Sequence, residues 1–134
     1  MTTLPNRDLK AAIDSLKAVG STSLPIPIAI RMAKLRQNLE RHAQAVEDTR
    51  TGLIASLTDG GSQIATNDAV WPDFVKGFEE LMAQEYALPD RFTLYQKGDG
   101  YAWSENMKTG KLVDMAPNVL YGLLPLIDIV EVEG

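Results

Sequence analysis

The sequence predicts an α+β fold that is mainly α, with a helical hairpin followed by a segment that contains a β-hairpin. Three observations lead to this fold class. The stretch from Ile28 to Leu57 lacks proline and repeats apolar residues at helical spacing. A further amphipathic stretch opens at Trp71-Pro72. After residue 90, strand-forming residues flank the turn sequence Lys97-Gly98-Asp99-Gly100.

A first helix is predicted from about Asn6 to Val19, because apolar residues recur there at intervals of three and four. Gly20 is expected to take the left-handed conformation that ends many helices. The following run, Leu24-Pro25-Ile26-Pro27, predicts a stiff connector, since each proline restrains its predecessor to extended geometry. Pro27 suits the first position of the next helix, where its missing N–H costs nothing.

The long helix, from about residue 28 to 57, is the central element of the prediction. It would measure about 45 Å at 1.5 Å per residue. One seam is fully apolar and consists of Met32, Leu39, Val46 and Leu53. The other seam is mostly polar or small and consists of Leu35, His42, Thr49 and Ser56. Because a two-stranded coiled coil needs both seams apolar, we expect one helix packed along a single stripe.

The third helix is predicted at about residues 72–87, after a loop from Thr58 to Thr66 and a short turn capped by Asn67 or Asp68. Its apolar side chains lie on one side and its glutamates largely on the other. Leu88-Pro89 is expected to end it. The three helices together are predicted to form a helical hairpin with one extra helix, which is the usual packing of antiparallel neighbours.

The C-terminal segment is predicted to open with a β-hairpin, in which Phe92 to Tyr95 and Tyr101 to Trp103 form the strands. Lys108-Thr109-Gly110-Lys111 indicates a second turn. Asn118 to Leu124 is typical of a short helix. Periodicity leaves two alternatives for Ile127 to Val132, a terminal strand or a helix end.

The length of 134 residues predicts a single domain, 1–134, with a helical part at 1–89 and the β-hairpin and C-terminal segment at 90–134. The chain has no cysteine, which excludes disulfides, thiolate nucleophiles and Cys-based metal sites. No apolar run approaches the roughly 18 residues of a membrane span, so no membrane partner is expected. The first ten residues lack the layout of a signal peptide.

Charge is divided unevenly along the chain. Residues 1–50 contain eight Lys/Arg and five Asp/Glu, a net charge of +3, whereas residues 51–134 contain five and thirteen, a net charge of -8. The basic helix is therefore expected to dock on the acidic half of the same chain or of a neighbour. Nucleic acid is not an expected partner, because no basic stripe interleaved with aromatic residues is present.

The residues that carry chemistry form no recognisable catalytic set. His42, the one histidine, lies on the stripe of the long helix, where a packed and hydrogen-bonded role is commoner than catalysis. Glu79 and Glu80 point about 100° apart on a helix, and no Glu-x-x-His motif accompanies them. The glycine pairs lack the Gly-Lys-Ser/Thr of a phosphate loop. We therefore expect no catalytic residue, no metal, no cofactor and no enzymatic activity.

The candidate interaction surface combines the basic flank of the long helix with the large aromatic residues. This basic flank consists of Arg31, Lys34, Arg36, Arg41 and Arg50. Aromatic side chains dominate both cores and interfaces, so the same rings are also candidates for the core. The expected interaction residues are Arg31, Lys34, Arg36, Arg41, Trp71, Tyr101 and Trp103.

A resemblance covers most of the chain. The motifs that carry it are Leu24-Pro25, Ala29, Ala33-Lys34-Leu35, Glu47, Arg50, Leu53-Ile54, Phe78-Glu79-Glu80-Leu81 and the leucine-rich Leu120 to Ile127. In this order they resemble a group of small phage-encoded proteins of unknown function. The chain departs from that group at Pro27 and in the inserted Gly98-Asp99-Gly100 turn. The resemblance implies a phage or prophage origin and a protein-binding role, and it transfers no active site.

Two hypotheses of function follow. The first is a non-enzymatic phage protein that acts through protein–protein contacts, as a small virion, tail or assembly component, with self-association included. The second is an early phage protein that binds and inhibits a host defence or transcription protein by presenting negative charge to a basic surface. Both place the protein in the host cytoplasm during infection, and the first also places it in the virion.

Overall fold

The computed structural model describes residues 2–20, 24–88, 91–98, 100–103 and 115–132. In chain order the elements are β1 (Thr2–Pro5), α1 (Leu9–Gly20), α2 (Ile26–Leu57), α3 (Trp71–Ala83), β2 (Glu85–Leu88), β3 (Phe92–Lys97), β4 (Gly100–Ala102), α4 (Pro117–Leu123) and β5 (Ile127–Glu131). Short 3₁₀ turns precede α1 at Asn6–Asp8 and follow α4 at Leu124–Leu126. The α+β, mainly α fold class is confirmed.

Helix α2 has the predicted position and buried face. It begins at Ile26, so Pro27 takes the second helical position, and at 32 residues it is about 48 Å long. Met32 and Leu39 are buried on the predicted stripe, and Val46 and Leu53 are half-buried. Leu35 of the second seam is also buried, whereas the later members of that seam become exposed toward the C-terminus. The buried face is therefore widest in the N-terminal half of the helix.

The end of α1 differs from the prediction. Gly20 is the last helical residue, and its φ lies outside the left-handed region. Left-handed residues instead follow α2, at Asp59 (φ 54°) and Gly60 (φ 89°). There the Gly60 N–H donates to the Ala55 carbonyl at 2.8 Å, which satisfies one of the carbonyls left open at the helix end. The prediction for Gly20 was wrong because α1 continues through that residue.

The third helix is shorter than predicted, because residues 85–88 form a strand. α3 ends at Ala83, and β2 pairs antiparallel with β1 in the register Thr2↔Leu88 to Pro5↔Glu85. Gln84 takes an extended conformation and closes the helix. The prediction that Leu88-Pro89 ends this helix was wrong, because pairing with a strand at the start of the chain, 80 to 86 positions earlier, overrides the local helical pattern.

The predicted β-hairpin is present and belongs to a three-stranded sheet of order β4-β3-β5. β3 and β4 pair antiparallel, with Lys97 opposite Gly100, and Gly98 supplies a positive φ of 59° in the turn. β5 pairs parallel to β3, from Phe92↔Ile127 to Gln96↔Glu131. Ile127–Glu131 is thus a strand, which decides between the two alternatives. The predicted turn at Lys108 to Lys111 lies outside the described residues.

One hydrophobic cluster connects the helices to the sheets. It contains buried residues of β1, α1, α2, β2, β3, α4 and β5, among them Leu4, Leu39, Leu94 and Leu123, which are fully buried. α3 packs separately on the C-terminal half of α2, where Leu53 lies against Gly77. No helix in the described ranges is long and apolar enough to cross a membrane.

Helices α1 and α4 pack closely against each other at Gly122. A Cβ at Gly122 would lie 2.5 Å from the carbonyl oxygen of Ala11, and it would also collide with the hydroxyl of the buried Ser15. Only a glycine permits this spacing, since backbone atoms of α1 cannot yield as the end of a flexible side chain can.

We predict that Leu39→Asp unfolds the protein. Leu39 is fully buried, and an unpaired carboxylate there costs several kcal/mol against a typical stability of about 5–15 kcal/mol. The control is Gln37→Asp on the exposed side of α2, which should change the stability by less than about 0.5 kcal/mol. A circular-dichroism melt of both variants checks this, and a parent-like melt of Leu39→Asp would show that the buried face of α2 is misassigned.

We also predict that Gly122→Ala lowers the stability by about 1–3 kcal/mol, because the added methyl group forces α1 and α4 apart. Gly52→Ala is the matched control, since nothing lies within 4 Å of a Cβ at that helical position. It should be neutral or should raise stability by up to about 1 kcal/mol. Urea titrations of the two variants measure the difference, and equal stabilities would refute the close contact.

Candidate interaction surface

The single histidine takes part in a partly buried polar contact. His42 Nε2 lies 2.7 Å from Oδ1 of Asn6, and the His42 ring packs at 4.8 Å on the ring of Tyr86. Asn6 is itself buried, and its side-chain nitrogen donates to the carbonyl of Leu81 at 2.8 Å. Because a carbonyl only accepts, the amide oxygen of Asn6 must face His42, so Nε2 of His42 carries a proton and donates.

Asn6 also caps the end of α3. Its backbone N–H donates to the Gln84 carbonyl at 2.8 Å, and its side chain donates to the Leu81 carbonyl. Both carbonyls belong to the last turn of α3 or its cap, where the helix provides few donors, and the Leu81 carbonyl also accepts from the Gln84 N–H at 3.3 Å. The His42 side chain is therefore held in a structural hydrogen bond that joins α2 to the α3 terminus through Asn6.

Acidic residues do not converge. Glu79 and Glu80 are exposed on α3, and Glu85 lies on β2 rather than on the predicted helix. Within the described ranges, no three His, Cys, Asp or Glu side chains are grouped closely enough to hold a metal ion.

The basic flank of α2 divides into paired and unpaired cations. Arg36 is half-buried and lies 4.0 Å from Glu40, and Lys17 approaches the same carboxylate at 3.8 Å. The Arg50 guanidinium, hydrogen-bonded to Glu47 at 2.7 Å, holds the pKa of Glu47 below its ordinary value, and the carboxylate raises the pKa of Arg50. Among described residues, no ion pair joins α2 to the acidic half of the chain.

The three remaining cations of the expected surface are exposed. Arg31 stacks over the Phe92 ring, with its guanidinium carbon 4.7 Å from the ring centroid, and this contact ties the start of α2 to the sheet. Lys34 and Arg41 are exposed and have no ion-pair partner in the described part of the chain. Together with Arg31, they are the cations of α2 that have no carboxylate partner among the described residues.

The three aromatic residues of the expected surface do not form one exposed patch. Trp103 is buried and meets Phe92 edge-on at 6.5 Å, so it belongs to the core. Tyr101 is half-buried in β4 against the same core. Trp71 begins α3 and packs on Phe74 at 5.5 Å. Of the seven residues, Arg31 and Trp103 both line one shallow groove.

That groove, of about 370 Å³, runs between the start of α2 and β3. Pro25, Pro27 and Arg31 form one wall, and Phe92, Tyr95 and Trp103 line the other. The indole N–H of Trp103 is buried without an acceptor among the described residues. Arg91 at its rim is occupied, because it pairs with Asp128 at 2.9 Å and donates to the Ile127 carbonyl.

The sequence reasoning missed the exposed apolar residues of α2. Ile26 is 74% exposed and Ile30 is 51% exposed, and both lie roughly opposite the buried stripe of Met32 and Leu39. With the residues that follow at spacings of three and four, they form a surface that we name the outer stripe of α2: Ile26, Ile30, Lys34, Gln37 and Arg41. The sequence contained a signal for this surface, because Ile26 and Ile30 lie outside the seven-residue repeat that predicts the buried stripe.

Two other sites expose large apolar side chains. Tyr121 and Leu124 project from α4 and the turn after it, and Ile129 and Val130 project from β5.

Comparison of the chain with protein-family models, with curated proteins and with solved structures finds no match. The surfaces themselves therefore carry the functional argument.

Proposed function

We propose that this is a non-enzymatic phage protein that acts through protein–protein contacts, as a small virion, tail or assembly component. The outer stripe of α2 is the observation that carries the proposal. The resemblance of most of the chain, including Leu24 to Ile54, to small phage-encoded proteins supports a phage or prophage origin. The proposal places the protein in the host cytoplasm during infection and then in the particle.

The outer stripe combines apolar area with unpaired positive charge. Ile26 and Ile30 lie one turn apart, and Lys34 and Arg41 continue the same face over about 22 Å of helix. Such a face fits a partner that offers an apolar depression bordered by acidic side chains. The apolar residues would supply the buried centre of the contact, and the cations would supply its charged rim.

Electrostatics favours an acidic partner surface over a basic one. Lys34 and Arg41 lack carboxylate partners among the described residues, whereas Arg36 and Arg50 have theirs on α2 itself. Bringing acidic groups to the two unpaired cations gains attraction without breaking an existing pair. A second copy of the chain is one such partner, since residues 51–134 have a net charge of -8.

The second candidate is an early phage protein that inhibits a host defence or transcription protein. The exposed carboxylate of Glu131 on the sheet favours it, because this side chain has no ion-pair partner among the described residues and presents negative charge outward. The two candidates use different surfaces of the molecule, so variants of one surface separate them.

We predict that Lys34→Glu combined with Arg41→Glu weakens partner binding at least about tenfold, which corresponds to about 1.4 kcal/mol. Both residues are exposed, so the fold should be retained. The tagged full chain is used as bait in lysate of phage-producing cells, and purified particles are examined by mass spectrometry. Binding of a phage structural or assembly protein should also weaken as salt rises.

The matched control is Lys10→Glu combined with Lys76→Glu, which makes the same change in net charge at exposed positions of α1 and α3. This control should bind like the parent chain. Equal binding by both double variants would reject the outer stripe as the contact surface. Absence of the protein from particles and assembly intermediates, together with capture of one host protein, would replace the proposal by the second candidate.

A further inference from the structure

Strand β5 forms an edge of the three-stranded sheet, since β3 is its one neighbour among the described strands. Val132 N–H donates to the Gln96 carbonyl at 2.8 Å, which places the backbone groups of residue 132 on the β3 side. Backbone groups point alternately to the two sides of a strand. The N–H and C=O groups of Ile129 and Glu131 therefore point to the open side, away from β3.

The side chains of this edge are apolar and acidic on both faces. Ile129 and Val130 are 39% and 43% exposed, and Asp128 and Glu131 are exposed beside them. Because side chains alternate along a strand, Ile129 and Glu131 share one face, and Asp128 and Val130 share the other. Each face thus offers one apolar contact and one carboxylate.

The charge of this edge indicates the occupant. Asp128 is already paired with Arg91 at 2.9 Å, whereas Glu131 has no ion-pair partner in the described part of the chain. A second copy of β5 would bring another unpaired Glu131 and no Lys or Arg within its own strand, whereas a basic segment would place a cation opposite Glu131. The charge therefore favours a basic partner segment over a second copy of β5.

We propose that the open edge of β5 binds an extended, basic segment of a partner protein as an added strand. The segment pairs through the backbone groups of Ile129 and Glu131. It places an apolar side chain on Ile129 or Val130 and a Lys or Arg opposite Glu131. This site goes beyond the proposed function, because it uses none of the outer stripe of α2 and names a partner of opposite charge.

The test uses two labelled synthetic hexapeptides, one alternating lysine and valine and one alternating glutamate and valine. Fluorescence anisotropy with the full chain should show binding of the Lys/Val peptide and none of the Glu/Val peptide. Ile129→Pro removes an N–H that points away from β3, so the pairing with β3 is kept while the open edge loses a donor. It should weaken Lys/Val binding at least tenfold.

Ile129→Thr is the matched control, because it shortens the same side chain but keeps the N–H. It should bind the Lys/Val peptide within threefold of the parent chain, whereas Glu131→Lys should weaken binding at least tenfold. Hydrogen exchange on the parent chain provides a readout that requires no variant. Addition of the Lys/Val peptide should slow exchange at the amides of Ile129 and Glu131.

Three results would overturn the proposal. The first is equal binding of the Lys/Val peptide by Ile129→Pro and Ile129→Thr with unchanged exchange at Ile129, which would indicate attraction by charge alone. The second is no binding of this peptide at millimolar concentration. The third is a homodimer in sedimentation that Ile129→Pro dissociates, which would make a second copy the occupant. If Lys34→Glu combined with Arg41→Glu does not weaken partner binding, the outer stripe is rejected as a contact surface. The three results above would still decide the β5 site in the same way.

Discussion

The buried amide of Asn6 is the contact on which the arrangement of the helices depends. Its side chain lies between His42 of α2 and the Leu81 carbonyl of α3, and its backbone N–H binds the Gln84 carbonyl. Through one residue, the N-terminal strand, the long helix and the end of α3 are joined. Removing one partner of a buried hydrogen bond leaves the other unsatisfied at a cost of about 1–3 kcal/mol, so this contact specifies one arrangement over others.

The same contact helps to explain which surfaces are exposed, namely the outer stripe of α2 and the edge of β5. With α3 packed against the C-terminal half of α2, the N-terminal half packs on α1 and, through Arg31, on β3. Its opposite side, the outer stripe, stays uncovered by any described element. Among the described strands, the sheet likewise ends at β5, which has no neighbour on its second edge. A long helix with basic residues and an acidic strand edge are then two surfaces of opposite charge on one small protein.

Much of the fold was predictable because it rests on local patterns. The seven-residue repeat through Leu39 identified the buried face of α2, and Gly98 with its flanking residues identified the β-hairpin. The strand β2 was not predictable from residues 85–88, because it depends on pairing with Thr2–Pro5 at the far end of the chain. The candidate surface was predicted only in part. Exposed cations followed from helical spacing, but the burial of Trp103 depends on its contact with Phe92 in the sheet.

The most direct test of this account is a double-mutant cycle between Asn6 and His42, with stability measured by urea unfolding. Asn6→Ala removes the bridging amide, and His42→Phe keeps a ring against Tyr86 while removing Nε2. Residues in one hydrogen-bond network couple by about 0.5–3 kcal/mol, so the double variant should lose less stability than the two single losses combined. Losses that add to within about 0.3 kcal/mol would contradict the account, because they would mean that Asn6 and His42 act independently.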